Sequence, residues 1–315
     1  MTKTMTNRYD RGAEDIGNIV ELEHVNLRVA DQGLATLFYV SGLGLTRDPY
    51  MMTSVDNMWI NVGRSQFHLP TGATAQLLRG RVGLVLPDRE ALLMRLGNMR
   101  KALAGTRFDF VEHEDHLATT CPWGNTILCH DPGPRFGAMT LGMAYVEFDV
   151  PVGAAKGVAA FYDKVFATRA TVEGKVAHVA AGMDQELVFR ETARPAPAYD
   201  GHHIQVYVAN FSGPHGRLAE RDLVSEESNQ HQYRFEHIVD PKSGRRLFQI
   251  EHEVRSLRHP LHARPLLNRN PRQTNRAYVP GRDGWVPEAA VAEVDDPRRA
   301  ARDRRFEEVT RRRAS

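Results

Sequence analysis

The stretch His24-Val-Asn-Leu-Arg-Val-Ala-Asp31 decides the fold. It alternates apolar and polar residues at a period of two, as a half-buried strand does, and runs into an acidic residue suited to start a helix. The same pattern returns in Arg81-Val-Gly-Leu-Val-Leu-Pro-Asp88, Tyr145-Val-Glu-Phe-Asp-Val-Pro-Val152 and His203-Ile-Gln-Val-Tyr-Val-Ala-Asn210. The copies begin at 24, 81, 145 and 203, so 57 to 64 residues separate each from the next, the spacing of an internal repeat.

Working outward, each strand is followed by apolar residues at helical spacing, clearest in 34–40, 91–96 and 158–163. Strand-like pieces broken by turns come next. In the first unit these are Met58-Trp-Ile-Asn-Val62 and Gln66-Phe-His-Leu69, joined by Gly63-Arg64; in the fourth they are 232–238 and 247–253, around the turn Pro241-Lys-Ser-Gly244. Each unit therefore reads βαβββ. A unit of this kind carries an open, curved half-sheet that cannot close on itself, so units are expected to pair. The predicted class is α+β, with four βαβββ modules pairing into two curved-sheet cups, plus a C-terminal extended arm. The predicted boundaries are an N-terminal tail 1–19, modules 20–78, 79–136, 137–195 and 196–256, and an Arg/Pro-rich arm and tail 257–315. Pro-rich linkers at 131–137 and 192–198 agree with this division.

Composition narrows the function classes. With 42% hydrophobic and 25% charged residues in 315, the chain can bury a proper core, which excludes global disorder. Forty-one Lys+Arg against 39 Asp+Glu give a net charge of +2, too balanced for a dedicated nucleic-acid or membrane-surface binder. The longest apolar runs resemble Val82 to Leu86, far short of the roughly 18 residues that span a bilayer. No basic-then-apolar leader opens the sequence, so a cytoplasmic protein is expected, with Cys121 and Cys129 as reduced thiols. Fourteen His beside 2 Cys mean that any bound metal takes imidazole and carboxylate ligands.

Leu22-Glu-His-Val-Asn-Leu-Arg-Val-Ala-Asp31, followed by Phe38-Tyr-Val-Ser-Gly-Leu-Gly-Leu45, resembles the opening strand and helix of the vicinal oxygen chelate superfamily. That superfamily includes glyoxalase I, methylmalonyl-CoA epimerase, bleomycin and fosfomycin resistance proteins and extradiol ring-cleaving dioxygenases. The resemblance covers residues 20 to 255, and four-unit chains are most similar to the two-domain extradiol dioxygenases. It implies a metal held at two places in a unit, the start of the first strand and a point on the last. In unit one these hold His24 and His68, and in unit four His203 and Glu251. In unit two they hold Arg81 and Leu128, and in unit three Tyr145 and Arg190, which cannot make a metal site. Unit one is therefore expected to pair with unit four around one site, leaving units two and three as a metal-free cup. A homodimer offers the same complementation between chains.

The resemblance implies one divalent transition metal, Fe, Mn, Ni, Co or Zn, with two adjacent positions open to vicinal substrate oxygens. The ligands implied are His24, His68, His203 and Glu251. Glu253 points the same way along a strand and is the alternative carboxylate, whereas His252 lies on the opposite face. Glu251 is also the candidate catalytic proton shuttle, as a metal-bound carboxylate. His24, His203 and Glu251 form a two-His, one-carboxylate triad suited to an Fe(II) oxygenase, although His68 would fill a position such enzymes keep open. A dioxygenase would need a further His, for which His231 and His237 are candidates. His202 is expected to face away. The expected function is a divalent-metal-dependent enzyme acting on a small-molecule substrate, either a glyoxalase-like lyase or isomerase or an extradiol-type dioxygenase. The alternatives are a non-catalytic binding or resistance protein of the same fold and a metal-free scaffold.

Overall fold

The computed structural model describes residues 9–49, 56–266, 270 and 272. Unit one contributes β1 (Ile19–Asn26), β2 (Thr46–Arg47), β3 (Asn57–Val62) and β4 (Ser65–Pro70), and unit two β5 (Gly80–Val85), β6 (Asp109–Glu112), β7 (Leu117–Thr120) and β8 (Thr126–His130). Unit three contributes β9 (Gly142–Pro151), β10 (Ala170–Glu173), β11 (Val176–Ala180) and β12 (Glu186–Thr192). Unit four contributes β13 (His203–Val208), β14 (Val224–Asn229), β15 (Gln232–Val239) and β16 (Arg246–Ser256). One helix follows each first strand: α1 (Gln32–Ala35), α2 (Arg89–Met99), α3 (Ala155–Phe161) and α4 (Ser212–Ala219). The helices α1 and α3 continue into wider-wound segments, Thr36–Gly42 and Tyr162–Phe166.

Two of the helices are started by the turn residue that closes the first strand, and a third by a glutamate of the last strand. The Asp31 carboxylate accepts from the Leu34 amide at 2.8 Å and that of Asp88 from the Ala91 amide at 3.0 Å, while Glu191 accepts from the Ala155 amide at 2.9 Å. Each such bond satisfies an N–H that a helix start leaves without a partner.

Two eight-stranded sheets result. The first runs β14-β15-β16-β13-β1-β4-β3-β2 and the second β10-β11-β12-β9-β5-β8-β7-β6. Units one and four thus share one sheet and units two and three the other, the pairing that the placement of ligand-type residues anticipates. At each centre the first strands meet antiparallel, β1 on β13 and β5 on β9, and each is flanked by its own unit's last strand in parallel. The faces away from the concavities pack on the helices, around fully buried rings that include Phe38, Phe67, Phe161, Phe189 and Phe235. Burying each such side chain contributes about 2 to 3 kcal/mol.

After β16 the chain turns back over the first sheet. The His262 ring meets Tyr207 edge-on at 4.7 Å, and buried Arg264 donates to Asp48 at 2.7 Å and to Gln66 at 3.1 Å. The rest of the expected arm, apart from Asn270 and Arg272, lies outside the described residues. Cys121 and Cys129 are both buried and unpaired. No helix among the described residues is long and apolar enough to cross a membrane.

Candidate metal centre

The register of the first sheet explains which side chains meet. Across β1 and β13, His24 opposes Gln205, Val25 opposes Ile204 and Asn26 opposes His203. The approximate two-fold axis therefore passes through the Val25–Ile204 pair and exchanges His24 with His203. On the flanking strands His24 lies beside Gln66 and Asn26 beside His68, while His203 lies beside Glu251 and Gln205 beside Glu253. The same axis accordingly makes Glu251 the counterpart of Gln66, and Glu253 the counterpart of His68. All of these side chains share one face because successive residues of a strand alternate.

Of the residues singled out in the sequence, His24 and His203 come together, their ring centroids 5.7 Å apart, both buried. The carboxylate that joins them is that of Glu253: one donor atom from each of His24, His203 and Glu253 lies within 4.8 Å of the others. Glu251 sits one step along the strand, with Oε1 3.3 Å from His203 Nδ1. The His68 ring lies 5.8 Å from that of His24, stacked on Trp59 at 3.8 Å. Both its nitrogens are engaged: Nδ1 accepts from the Asn26 amide at 2.6 Å and Nε2 donates to Asn57 Oδ1 at 2.7 Å. Burial first, then the nearby His24 ring, pushes the His68 pKa down to about 2, so this imidazole is neutral.

Each of the two central imidazoles has a carboxylate at Nδ1. Glu23 holds Nδ1 of His24 through a very short contact. A strand should turn Glu23 to the opposite face, but the β1 register slips between Leu22 and His24, and a bulge of this kind sets two residues against one partner. Burial opposes ionisation of Glu23, yet the His24 imidazole and the Arg255 guanidinium hold its pKa down at about 2. An ionised acceptor at Nδ1 keeps the proton there and leaves Nε2 with a lone pair. The Nε2 atoms of His24 and His203 are both buried without a hydrogen-bond partner. A carboxylate behind each imidazole is the arrangement that orients metal-binding histidines. The donor set of this structure therefore fits a divalent ion.

Two guanidiniums balance the acids. Arg234 on β15 forms short ion pairs with both Glu251 and Glu253, and Arg255 reaches Glu253 Oε1 at 2.5 Å. Burial raises the Glu251 pKa, with Arg234 opposing it. Glu23, Arg234, Arg255 and the Asn pair around His68 are the site residues that sequence reasoning missed. Only Glu23, next to His24 in the chain, carried a local signal.

The other candidate histidines lie elsewhere. His252 faces the core, stacked on Phe235 at 4.2 Å and bonded to the Tyr162 hydroxyl at 2.6 Å. His202 is buried away from the cluster and bonded to Asp200 at 2.6 Å. His237 lines a separate cleft beside β16.

No family model matches the sequence, and no curated protein matches it in sequence. Solved structures do match in shape. A proposed dioxygenase from Bacillus subtilis subsp. subtilis str. 168 is 12% identical over 76% of this chain and 86% of its own, with a TM-score of 0.51. Glyoxalase I from Zea mays is 12% identical over 75% of this chain and 92% of its own, with a TM-score of 0.50. A mutant of that maize enzyme, also 12% identical, reaches 0.52 over 75% and 93%. Identities this low speak to fold alone. With two eight-stranded sheets, each built from a pair of βαβββ units, this chain has the vicinal oxygen chelate fold in its four-module form.

Proposed function

We propose that the protein is a metal-dependent enzyme that binds a small substrate through two neighbouring oxygens, with a divalent ion held by His24, His203 and Glu253. The observation that supports this most directly is the pair of buried, partnerless Nε2 atoms, each on an imidazole whose Nδ1 faces a carboxylate. A buried polar atom without a partner costs about 1 to 3 kcal/mol, a loss a protein tolerates where a ligand completes the set. Bound there, a divalent ion would supply Lewis acidity to the substrate oxygens.

The chain's own residues supply the rest. Glu23 fixes the His24 imidazole, and Glu251 stands 3.3 Å from His203 Nδ1. Glu251, with its raised pKa and its place beside the cluster, is the group that accepts and returns a substrate proton. Arg234, spanning Glu251 and Glu253, places positive charge where a substrate oxyanion would develop. Two histidines and one carboxylate, with both His68 nitrogens already engaged, leave open the positions that a ring-cleaving dioxygenase needs, which favours that chemistry over a lyase or isomerase.

Metal analysis of the purified protein tests the reading. About one equivalent of a first-row transition metal is expected; less than about 0.1 equivalent, with none taken up on reconstitution, overturns it. Oxygen uptake with catechols, set against proton exchange of a hydroxy-ketone, then separates dioxygenase from isomerase.

A further inference from the structure

A second cleft, of about 550 Å³, opens outside both concave faces, where the ends of β9 and β12 approach the turn between β15 and β16. Three guanidiniums line it, from Arg79, Arg194 and Arg246, together with the His237 ring. Its apolar wall comes from buried Leu247 and Phe248.

The charge there is unbalanced. Asp149, the one carboxylate among the described residues lining the cleft, lies 3.5 Å from Arg81, outside it. The Glu236 carboxylate nearby accepts from the Gln249 amide at 3.0 Å. Among the described residues, the cations of the wall thus face the cleft without an acid within ion-pair distance. Two further atoms point to a missing partner: Arg79 Nε and His237 Nδ1 are buried without a hydrogen bond. The Arg79 guanidinium is itself fixed, lying 4.5 Å over the Phe248 ring and 5.1 Å over that of Tyr199, with Nη2 donating to the Gln249 carbonyl. A fixed guanidinium beside apolar carbon suits a carboxylate head and a hydrocarbon body together.

We propose that this cleft is a binding site for a small organic anion with an apolar body, a medium-chain carboxylate. Its head group lies among Arg79, Arg194 and Arg246 and its chain against Leu247 and Phe248. The volume falls within the range of small-molecule sites. None of His24, His203, Glu251 and Glu253 lines this cleft.

Calorimetric titration of the full chain with octanoate tests the proposal, with octanamide as the neutral analogue. One octanoate per chain is expected, at a Kd of about 1 mM or tighter, with octanamide at least about tenfold weaker. Arg194 and Arg246 are exposed, so the double variant Arg194→Glu, Arg246→Glu keeps its fold, which its melting curve verifies. It should lose octanoate binding by about tenfold or more. Octanamide binding as tightly as octanoate, an unchanged double variant, or no saturable binding below about 10 mM each overturns the proposal.

Discussion

The two concave faces share a strand order and use their polar groups in opposite ways. In the face built by units two and three, Glu147 lies between two guanidiniums, accepting from Arg190 at 2.9 and 3.1 Å and standing 3.0 Å from Arg81. The Tyr145 hydroxyl meets His130 Nε2 at 2.9 Å, and burial holds the phenol up at about 12. The Tyr145 ring lies over Gly83, where an added Cβ would come within 2.1 Å of it. There the strand-start positions close on their neighbours. In the face built by units one and four, the equivalent positions carry His24 and His203, whose Nε2 atoms make no hydrogen bond, that of His203 lying 3.6 Å from Glu253 Oε2. The two faces of this repeated fold thus differ less in their strands than in buried nitrogens left without a hydrogen bond, at some cost in stability.

The largest expected effect breaks that contrast at its source. His24→Ala, His203→Ala or Glu253→Gln should each weaken transition-metal binding by about 100-fold or more, measured by competition against a chelator of known affinity. Glu251→Gln separates the ligand role from the orienting one and should cost only about tenfold, because the residue supports His203 from Nδ1. If Glu251→Gln cost more than Glu253→Gln, the two carboxylates would have to exchange roles.

That pair also marks the limit of what the sequence discloses. The repeat of strand and helix follows from spacing, because alternation and period survive in any sequence that folds this way, whereas the pairing of units one and four, with His24 and His203 as ligands, follows from what the family resemblance implies about ligand places. The choice between Glu251 and Glu253 does not, since both face one side of β16 and only the register against β13 and β15 separates them. His68 reads as a ligand in the sequence, but Asn26 and Asn57, from two other strands, take both its nitrogens. Strand alternation alone would turn Glu23 away from His24, and the bulge that brings it back leaves little trace in composition. Arg234 and Arg255 are two among many arginines until the strands place them beside the acids.

A smaller effect is expected from the closed face. Gly83→Ala forces a methyl group against the Tyr145 ring and should destabilise the protein by about 2 kcal/mol in urea unfolding, since overpacking a filled site costs about 1 to 3 kcal/mol. Metal stoichiometry should stay as in the unchanged protein. A variant that lost metal along with stability would show that the two faces are not independent.

The smallest effect concerns the backs of the two sheets. On β12 the core side carries Leu187 and Phe189, whereas on β16 it carries His252 between Ile250 and Val254. Complete burial holds the His252 pKa down at about 3, against about 6.5 for a free imidazole. Because the folded-state value is the lower one, the unfolded chain binds the extra proton. Stability is therefore full above about pH 6.5 and lost as pH falls from there toward 3. Between pH 7 and pH 6 one such group accounts for about 0.7 kcal/mol. His252→Gln keeps a hydrogen-bonding group near the Tyr162 hydroxyl and removes the titration. Urea midpoints at the two pH values should then differ less for the variant than for the unchanged protein, by that amount. An equal pH dependence in both would mean that the acid sensitivity of this half comes from imidazoles in the concave face, with His68 the first to replace.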